Sequence, residues 1–453
     1  MASPNEFTGP TTELLQTLIR NECVNDGTPD SGHETRNADV LQHYLEGAGL
    51  DVARFTPRAG RDSIVARIQG TDPDAPSLCL MGHTDVVPVN VDGWREDPFG
   101  GEVIDSDNGP EVWGRGAIDM LNLTSSMAIV FRRLADEGFQ PKGDLVYFGV
   151  GDEESGGTWG AEWMAEHHWD AIAADYVLTE LGGWSSIDGH GQRSVTINVG
   201  EKGLAWRRLR VRGTPGHGSI PFGGDNALVK AAAIVQRLGQ YQAAPHIDDV
   251  WRAQVDTLPL PDDIRAGLKS PERILEVIDQ LPAPIARVCH AQSHTTFSPN
   301  VIHGGQKTNT VPDVIDLDVD IRTVPGTTAA DVEAHLRDAL GELYEHVEVS
   351  TLQQYDPTTS AYGEGNPLWD AVAKHTQVAY PGATLVPGLV VGGTDARFYR
   401  SRGSIAYGTG LFSPGVDLPT FGSRFHGNDE RIDVASLGLS GNYFYGISKE
   451  LVG

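Results

Sequence analysis

Short apolar runs, each ending in residues able to bind a metal or move a proton, constrain this chain more than any other feature. Leu78-Cys79-Leu80-Met81 is closed by Gly82 and followed by His83 and Asp85. Leu145-Val146-Tyr147-Phe148-Gly149-Val150 runs into Asp152-Glu153-Glu154, and Asp175-Tyr176-Val177-Leu178 leads to Glu180. Continuous apolar runs of this length, bounded by turn residues, have the pattern of strands buried on both faces. Ile64-Val65-Ala66-Arg67-Ile68 reads as a further strand. Helical spacing lies between them. Leu14, Leu15, Leu18 and Ile19 recur behind Pro10, taken as a helix start. Val40, Leu41, Tyr44 and Leu45 turn inward on a helix from about Thr35, and another helix runs from about Asn122 to Leu134. Strands alternating with helices predict an α/β fold with a mostly parallel sheet. Ligands bind such sheets beyond the carboxyl ends of the strands, where these polar clusters fall.

The pattern changes after Gly203. Leu204 to Val211 reads as a strand, Asn226 to Tyr241 as a helix, and Thr295 to Ile302 and the alternating Val314 to Ile321 as strands. Thr328 to Tyr344 has a helix-start signal in Thr328 and Asp331, and His346 to Thr351 closes as a strand. This βαββαβ order is the ferredoxin-like unit, expected as an inserted lid and dimerisation domain whose sheet edge offers a two-fold contact. The expected organisation is a catalytic domain in two parts, 1–203 and 356–453, around an inserted domain at 204–355. A Pro-rich, partly helical excursion at about 243–293 has no role readable from sequence.

A chain of 453 residues is too long for one core. Its net charge of −28, from 62 acidic and 34 basic residues, argues against nucleic acid or an anionic membrane as a partner. Cys23, Cys79 and Cys289 are too sparse for a disulfide framework or a cysteine zinc site. No leader or membrane-spanning run is read, so a cytoplasmic location is expected.

His83 and Asp85, Asp119 at the end of Gly114-Arg115-Gly116-Ala117-Ile118, the Glu153-Glu154 pair and Glu180 would gather along one sheet edge. Oxygen and imidazole ligands without cysteine suit hydrolytic zinc, manganese or cobalt. Two such metals need a bridging carboxylate. An adjacent acid pair can divide the labour, one acid binding metal and the other taking a proton from water.

Several stretches together resemble the di-zinc metallopeptidase family of aminoacylase, acetylornithine deacetylase, succinyl-diaminopimelate desuccinylase and glutamate carboxypeptidase. They are Gly82-His83-Thr84-Asp85-Val86-Val87-Pro88, Trp94 with Asp97-Pro98-Phe99, Gly114 to Met120, and Asp152-Glu153-Glu154-Ser155-Gly156-Gly157. Further matches are Gly213 to Ser219, Asn309-Thr310-Val311-Pro312, Asp320-Ile321-Arg322, Gly392-Gly393-Thr394-Asp395 and Phe425 to Arg431. The resemblance implies two Zn2+ ions per subunit, with Co2+ or Mn2+ able to substitute. It gives His83 and Glu180 to one metal, Glu154 and His426 to the other, and Asp119 to both. Asp175 competes with Glu180 but opens its strand, at the wrong end. Asp85 would orient His83, and Glu153 would be the general base. His217 would reach the partner subunit's site and steady the oxyanion, with Asn300 as a second donor. Arg322 would clamp a substrate carboxylate; an ion pair with Asp318 or Asp320 is the alternative. Asn309 and the backbone of Gly392-Gly393-Thr394 complete the implied substrate contacts. Leu121-Asn122 stands where the family usually has Lys-Gly, which alters the electrostatics at the edge of the site. His290 and His294 share a helical face with no third ligand beside them.

The expectation is a homodimeric two-metal amidohydrolase acting on a small N-acyl-amino acid or short peptide. The alternatives are a dipeptidase or carboxypeptidase for free-amine peptides, and a catalytically silent, metal-stabilised binding protein.

Overall fold

The computed structural model describes residues 4–107, 109–188 and 191–453. Residues 1–3, part of the stretch read for a leader, lie outside them. A ten-stranded sheet runs in the order Val52–Arg58, Arg61–Ile68, Leu145–Val150, Leu78–His83, Tyr176–Thr179, Ile405–Gly408, Arg193–Glu201, Thr358–Thr359. Its centre is parallel: Leu78–His83 pairs in parallel with both Leu145–Val150 and Tyr176–Thr179, and Ile405–Gly408 extends the set. Thr384–Val390 and Ser185–Ile187 branch onto Arg193–Glu201.

The unbroken apolar runs follow from burial on both faces. Successive side chains of a strand point to opposite sides. Leu78, Leu80, Leu145, Tyr147 and Leu178 enter one core, with the helices Pro4–Arg20, Thr35–Glu46, Leu121–Asp136 and Val434–Leu451. Cys79, Met81, Val146, Phe148, Val150 and Val177 enter a second core, with Ala161–His167, Trp169–Ile172 and Ala396–Arg400. No helix among the described residues is long and apolar enough to cross a membrane.

Pro10 does not start the first helix. That helix spans Pro4–Arg20 and carries Pro10 inside it. Phe7 is fully buried, with its ring 5.5 Å from that of Tyr445. This anchor holds the preceding turn helical. Pro10 itself is exposed, where a carbonyl left without its usual donor can reach water.

After Glu201 the chain leaves this sheet and builds another. Its order is Thr296–Gly304, Val314–Thr323, Gly203–Arg212, Val347–Tyr355, antiparallel throughout. Ala227–Gln240 and Ala329–Leu340 pack on it through Leu209, Val211, Ile234, Leu317, Val319, Ile321 and Leu336. This is the expected βαββαβ topology. The second helix is shorter than its periodicity suggests. A capping box joins Thr328 and Asp331 at its start, but it ends at Leu340, before Gly341 at φ 53°. The excursion forms Asp249–Thr257, Asp262–Leu268, Ile274–Ile278 and Ala283–Ser293, with its own core of Trp251, Val255, Leu268 and Val277.

A three-stranded sheet went unrecognised in the sequence. Arg431–Asp433 pairs with Gly109–Trp113, which pairs with Glu102–Ser106. It ties the segment carrying His426 to the loop carrying Asp119.

Candidate metal centre

Parallel pairing brings the polar strand ends to one edge. His83 ends its strand, Glu180 follows Tyr176–Thr179, and Glu153 and Glu154 occupy one turn after Leu145–Val150. Asp152 enters that turn with φ 69°, in the left-handed region. Asp119 faces two histidines at once. Its Oδ1 is 3.2 Å from His83 Nε2 and its Oδ2 is 2.9 Å from His426 Nε2. Glu180 Oε2 lies 3.5 Å from His83 Nε2, and Glu154 Oε2 lies 3.4 Å from His426 Nε2. Taking one ligand atom per residue, His83, Glu153 and Glu180 fall within 4.8 Å of one another, as do His83, Asp119 and Glu154.

The electrostatics of this cluster call for a cation. Burial raises Glu154 and Glu180 to about 7, although the neighbouring imidazoles oppose it. Glu153 is pushed well above the usual range by burial, and further by Glu180 and Asp395. Burial lowers His426, but its bonds to Asp119 and Glu154 outweigh this and lift it to about 10. His83 is likewise raised, against burial, by Glu180 and Asp119. Crowded buried carboxylates favour any added positive charge. Glu154 Oε1 is buried without a hydrogen-bond partner, an acceptor left for a ligand. Imidazole and carboxylate donors fit zinc, manganese or cobalt.

The tautomer of His83 follows from its main-chain contact. Nδ1 lies 2.9 Å from the carbonyl oxygen of Asp85. A carbonyl only accepts, so Nδ1 carries a hydrogen, and Nε2 is the ring nitrogen that faces the cluster and would bind a metal in place of its proton. The Asp85 carboxylate was expected to orient the ring, yet its Oδ1 is 3.8 Å away. It accepts instead the N–H groups of Glu153 at 3.2 Å and Glu154 at 3.1 Å. The backbone decides this: Thr84 N–H is held by the Val150 carbonyl and Val86 N–H by that of Cys23. The Asp85 side chain is thereby turned towards the acid pair.

Supporting residues were missed in the sequence. Glu430 Oε1 accepts the N–H groups of Ile118 at 2.8 Å and Asp119 at 3.1 Å, while Arg115 pairs with its Oε2 at 2.6 Å. This holds the loop that presents Asp119. Glu430 lies inside the Phe425 to Arg431 stretch, four residues after His426, the one signal that could have pointed to it. Arg61, buried between Glu34 and Asp152, lies beneath the acid turn. Asp395 is buried with neither carboxylate oxygen bonded.

The inserted unit contributes none of the two metal-capable groups. His217 is exposed on a two-residue strand paired with Thr310–Val311, and its Nδ1 lies 2.7 Å from Ser219 Oγ. Asn309 neighbours it, its carbonyl accepting Gly218 N–H at 2.8 Å. Asn300 sits at a bulge between Pro299 and Val301, and its Oδ1 accepts from Ser298 Oγ. The Arg322 fork is engaged by Asp320, at 2.8 and 3.3 Å, while Asp318 binds Arg208. Thr394 is buried and donates to Glu201 Oε2 at 2.6 Å; Gly393 is exposed and Gly392 partly so. Leu121 and Asn122 are both buried. The His290 and His294 rings stack 4.5 Å apart.

Residues 79–450 match the model of peptidase family M20/M25/M40. An N-fatty-acyl-amino acid synthase/hydrolase of Xenopus tropicalis is 28% identical over 397 residues, covering 84% of this chain and 73% of that protein. Carboxypeptidase S of Saccharomyces cerevisiae is 26% identical over 416 residues, covering 81% of this chain and 70% of its own. The fold matches the crystal structure of an M20 family metallo-carboxypeptidase from Sulfolobus solfataricus with a TM-score of 0.72 at 16% identity, covering 97% of this chain and 99% of that one.

Proposed function

The chain belongs to peptidase family M20/M25/M40, and from that membership we propose that it is a two-metal amidohydrolase releasing an amino acid from an N-acyl-amino acid or a short peptide. The observation that carries this is Asp119, whose two oxygens each meet a different histidine. His83 and Glu180 would hold one metal, His426 and Glu154 the other, and Asp119 both. Zinc is the first choice, with cobalt or manganese as substitutes. Bound there, such ions would lower the pKa of water and polarise the scissile carbonyl. Glu153 would take the proton from the attacking water and deliver it to the leaving nitrogen as the C–N bond breaks. Relatives named for N-acyl-amino acid hydrolysis and for carboxypeptidase action support an amide whose nitrogen belongs to an amino acid. Three buried, unpaired cysteines fit a cytoplasmic location.

The test is a panel of N-acyl-amino acids and dipeptides, assayed after metal removal and after adding zinc, manganese or cobalt. Metal-dependent release of a free amino acid is expected. Metal uptake without hydrolysis of any member would leave a metal-stabilised binding protein.

Arg322 and the backbone of Gly392-Gly393-Thr394 would hold the substrate carboxylate. Arg322→Lys is then expected to raise KM about 10-fold for substrates with a free carboxylate, since a point charge cannot replace a planar fork. Amidated analogues should change much less. An equal change on both would make the Arg322–Asp320 pair structural.

His217 would serve the partner subunit of a homodimer formed through the inserted unit. Its exposure fits this, as does the open edge strand Thr296–Gly304 with Val301 and Ile302 exposed. Glu153→Ala and His217→Ala homodimers should each be nearly inactive. Refolded together in equal amounts, half the dimers are mixed, and each mixed dimer has one intact site. About a quarter of wild-type activity should return. Verified subunit exchange without recovery would confine His217 to its own chain.

A further inference from the structure

The turn carrying Glu153 and Glu154 is held from outside by one buried amide, which no motif of the chain marks. Asn25 lies on the segment after the first helix, and its N–H donates to the Val86 carbonyl at 2.8 Å. Its Nδ2 lies 2.8 Å from Asp85 Oδ2 and 3.2 Å from Asp152 Oδ1. Its Oδ1 accepts from Ser155 Oγ at 2.6 Å, Gly27 N–H at 3.1 Å and Arg61 Nη2 at 3.1 Å. The amide orientation is fixed by chemistry: ionised carboxylates only accept, while a guanidinium and a backbone N–H only donate.

These contacts bracket the acid pair. Asp152 precedes it and Ser155 follows it, and Asn25 bonds to both. Between them, Asp85 receives the N–H groups of Glu153 and Glu154 while Asn25 donates to its Oδ2. We propose that Asn25 is a positioning residue of the acid pair: through Asp85, Asp152 and Ser155 it fixes the turn that sends Glu153 towards His83 and Glu180, and Glu154 towards His426. The role of the pair rests on the two-metal reading above. Few other side chains can do this. Aspartate would place a third carboxylate beside Asp85 and Asp152, and serine is too short to span all the partners.

Two variants separate positioning from mere structure. Asn25→Ala removes both ends of the amide. Asn25→Asp keeps an acceptor for Ser155, Gly27 and Arg61 and loses the donor to Asp85. In the metal-free protein, hydrogen exchange of segment 151–157 should quicken about 10-fold in both variants, the worth of one buried bond, while strand 78–83 stays protected. With zinc restored, kcat should fall about 10–100-fold, the usual range for groups that orient metal ligands, with KM within about twofold. A variant that melts cooperatively, keeps kcat within about threefold and leaves segment 151–157 protected overturns the proposal. Should one variant not fold, the other carries the same readouts. Absence of hydrolysis by the parent refutes the two-metal reading instead, and the metal-free exchange still decides whether Asn25 holds the turn.

Discussion

Glu153→Ala is expected to lower kcat by at least about 10²-fold while the protein still takes up two metal equivalents, because loss of a general base typically costs 10²–10⁴. The adjacent acid should behave differently. Glu154 lies 3.4 Å from His426 and keeps one buried oxygen unpartnered, so Glu154→Ala should lower metal occupancy first and activity as a consequence. The geometry makes this a sharp test, because Glu153 also falls within ligand range of His83 and Glu180. Elemental analysis of both variants after gel filtration, beside kcat at saturating metal, separates the two roles. Metal loss in Glu153→Ala with retention in Glu154→Ala would exchange the assignments.

Asp119→Ala should have a broader effect, removing both metals together. No other described carboxylate bonds to both His83 and His426. Orienting groups around a metal typically contribute 10–100-fold, and a shared ligand should exceed that, so turnover should fall by more than about 100-fold. Metal titration followed by the thermal midpoint checks it: the stabilisation that wild type gains from metal should largely vanish. A variant that kept one tightly bound metal and near-normal turnover would indicate a one-metal enzyme.

Much of the site could be read along the chain because its residues follow strand ends. The runs before His83, Glu153 and Glu180 alternate between two cores, so burial on both faces writes each strand as an unbroken apolar segment. A polar residue directly after such a segment must lie at the carboxyl edge of a parallel sheet. The inserted unit was legible for a related reason. Val314–Thr323 alternates buried and half-buried residues throughout, as a strand covered on one face must. Where a local rule failed, a tertiary contact had overridden it: Pro10 sits inside a helix because Phe7 is anchored in the core.

The sequence by itself determined the layered α/β architecture, the inserted βαββαβ unit and the residue types gathered at the sheet edge, since periodicity and strand-end position are local properties. Only the tertiary structure decided the partners. Asp85 turns to the acid pair because hydrogen bonds to Val150 and Cys23 set the path of its backbone. The Arg322 fork closes on Asp320, and Glu430 and Asn25 reach the site from remote segments. Such hydrogen bonds join residues far apart in the chain and leave no period in it. An asparagine or glutamate in a loop looks the same in sequence whether it faces water or a buried carboxylate.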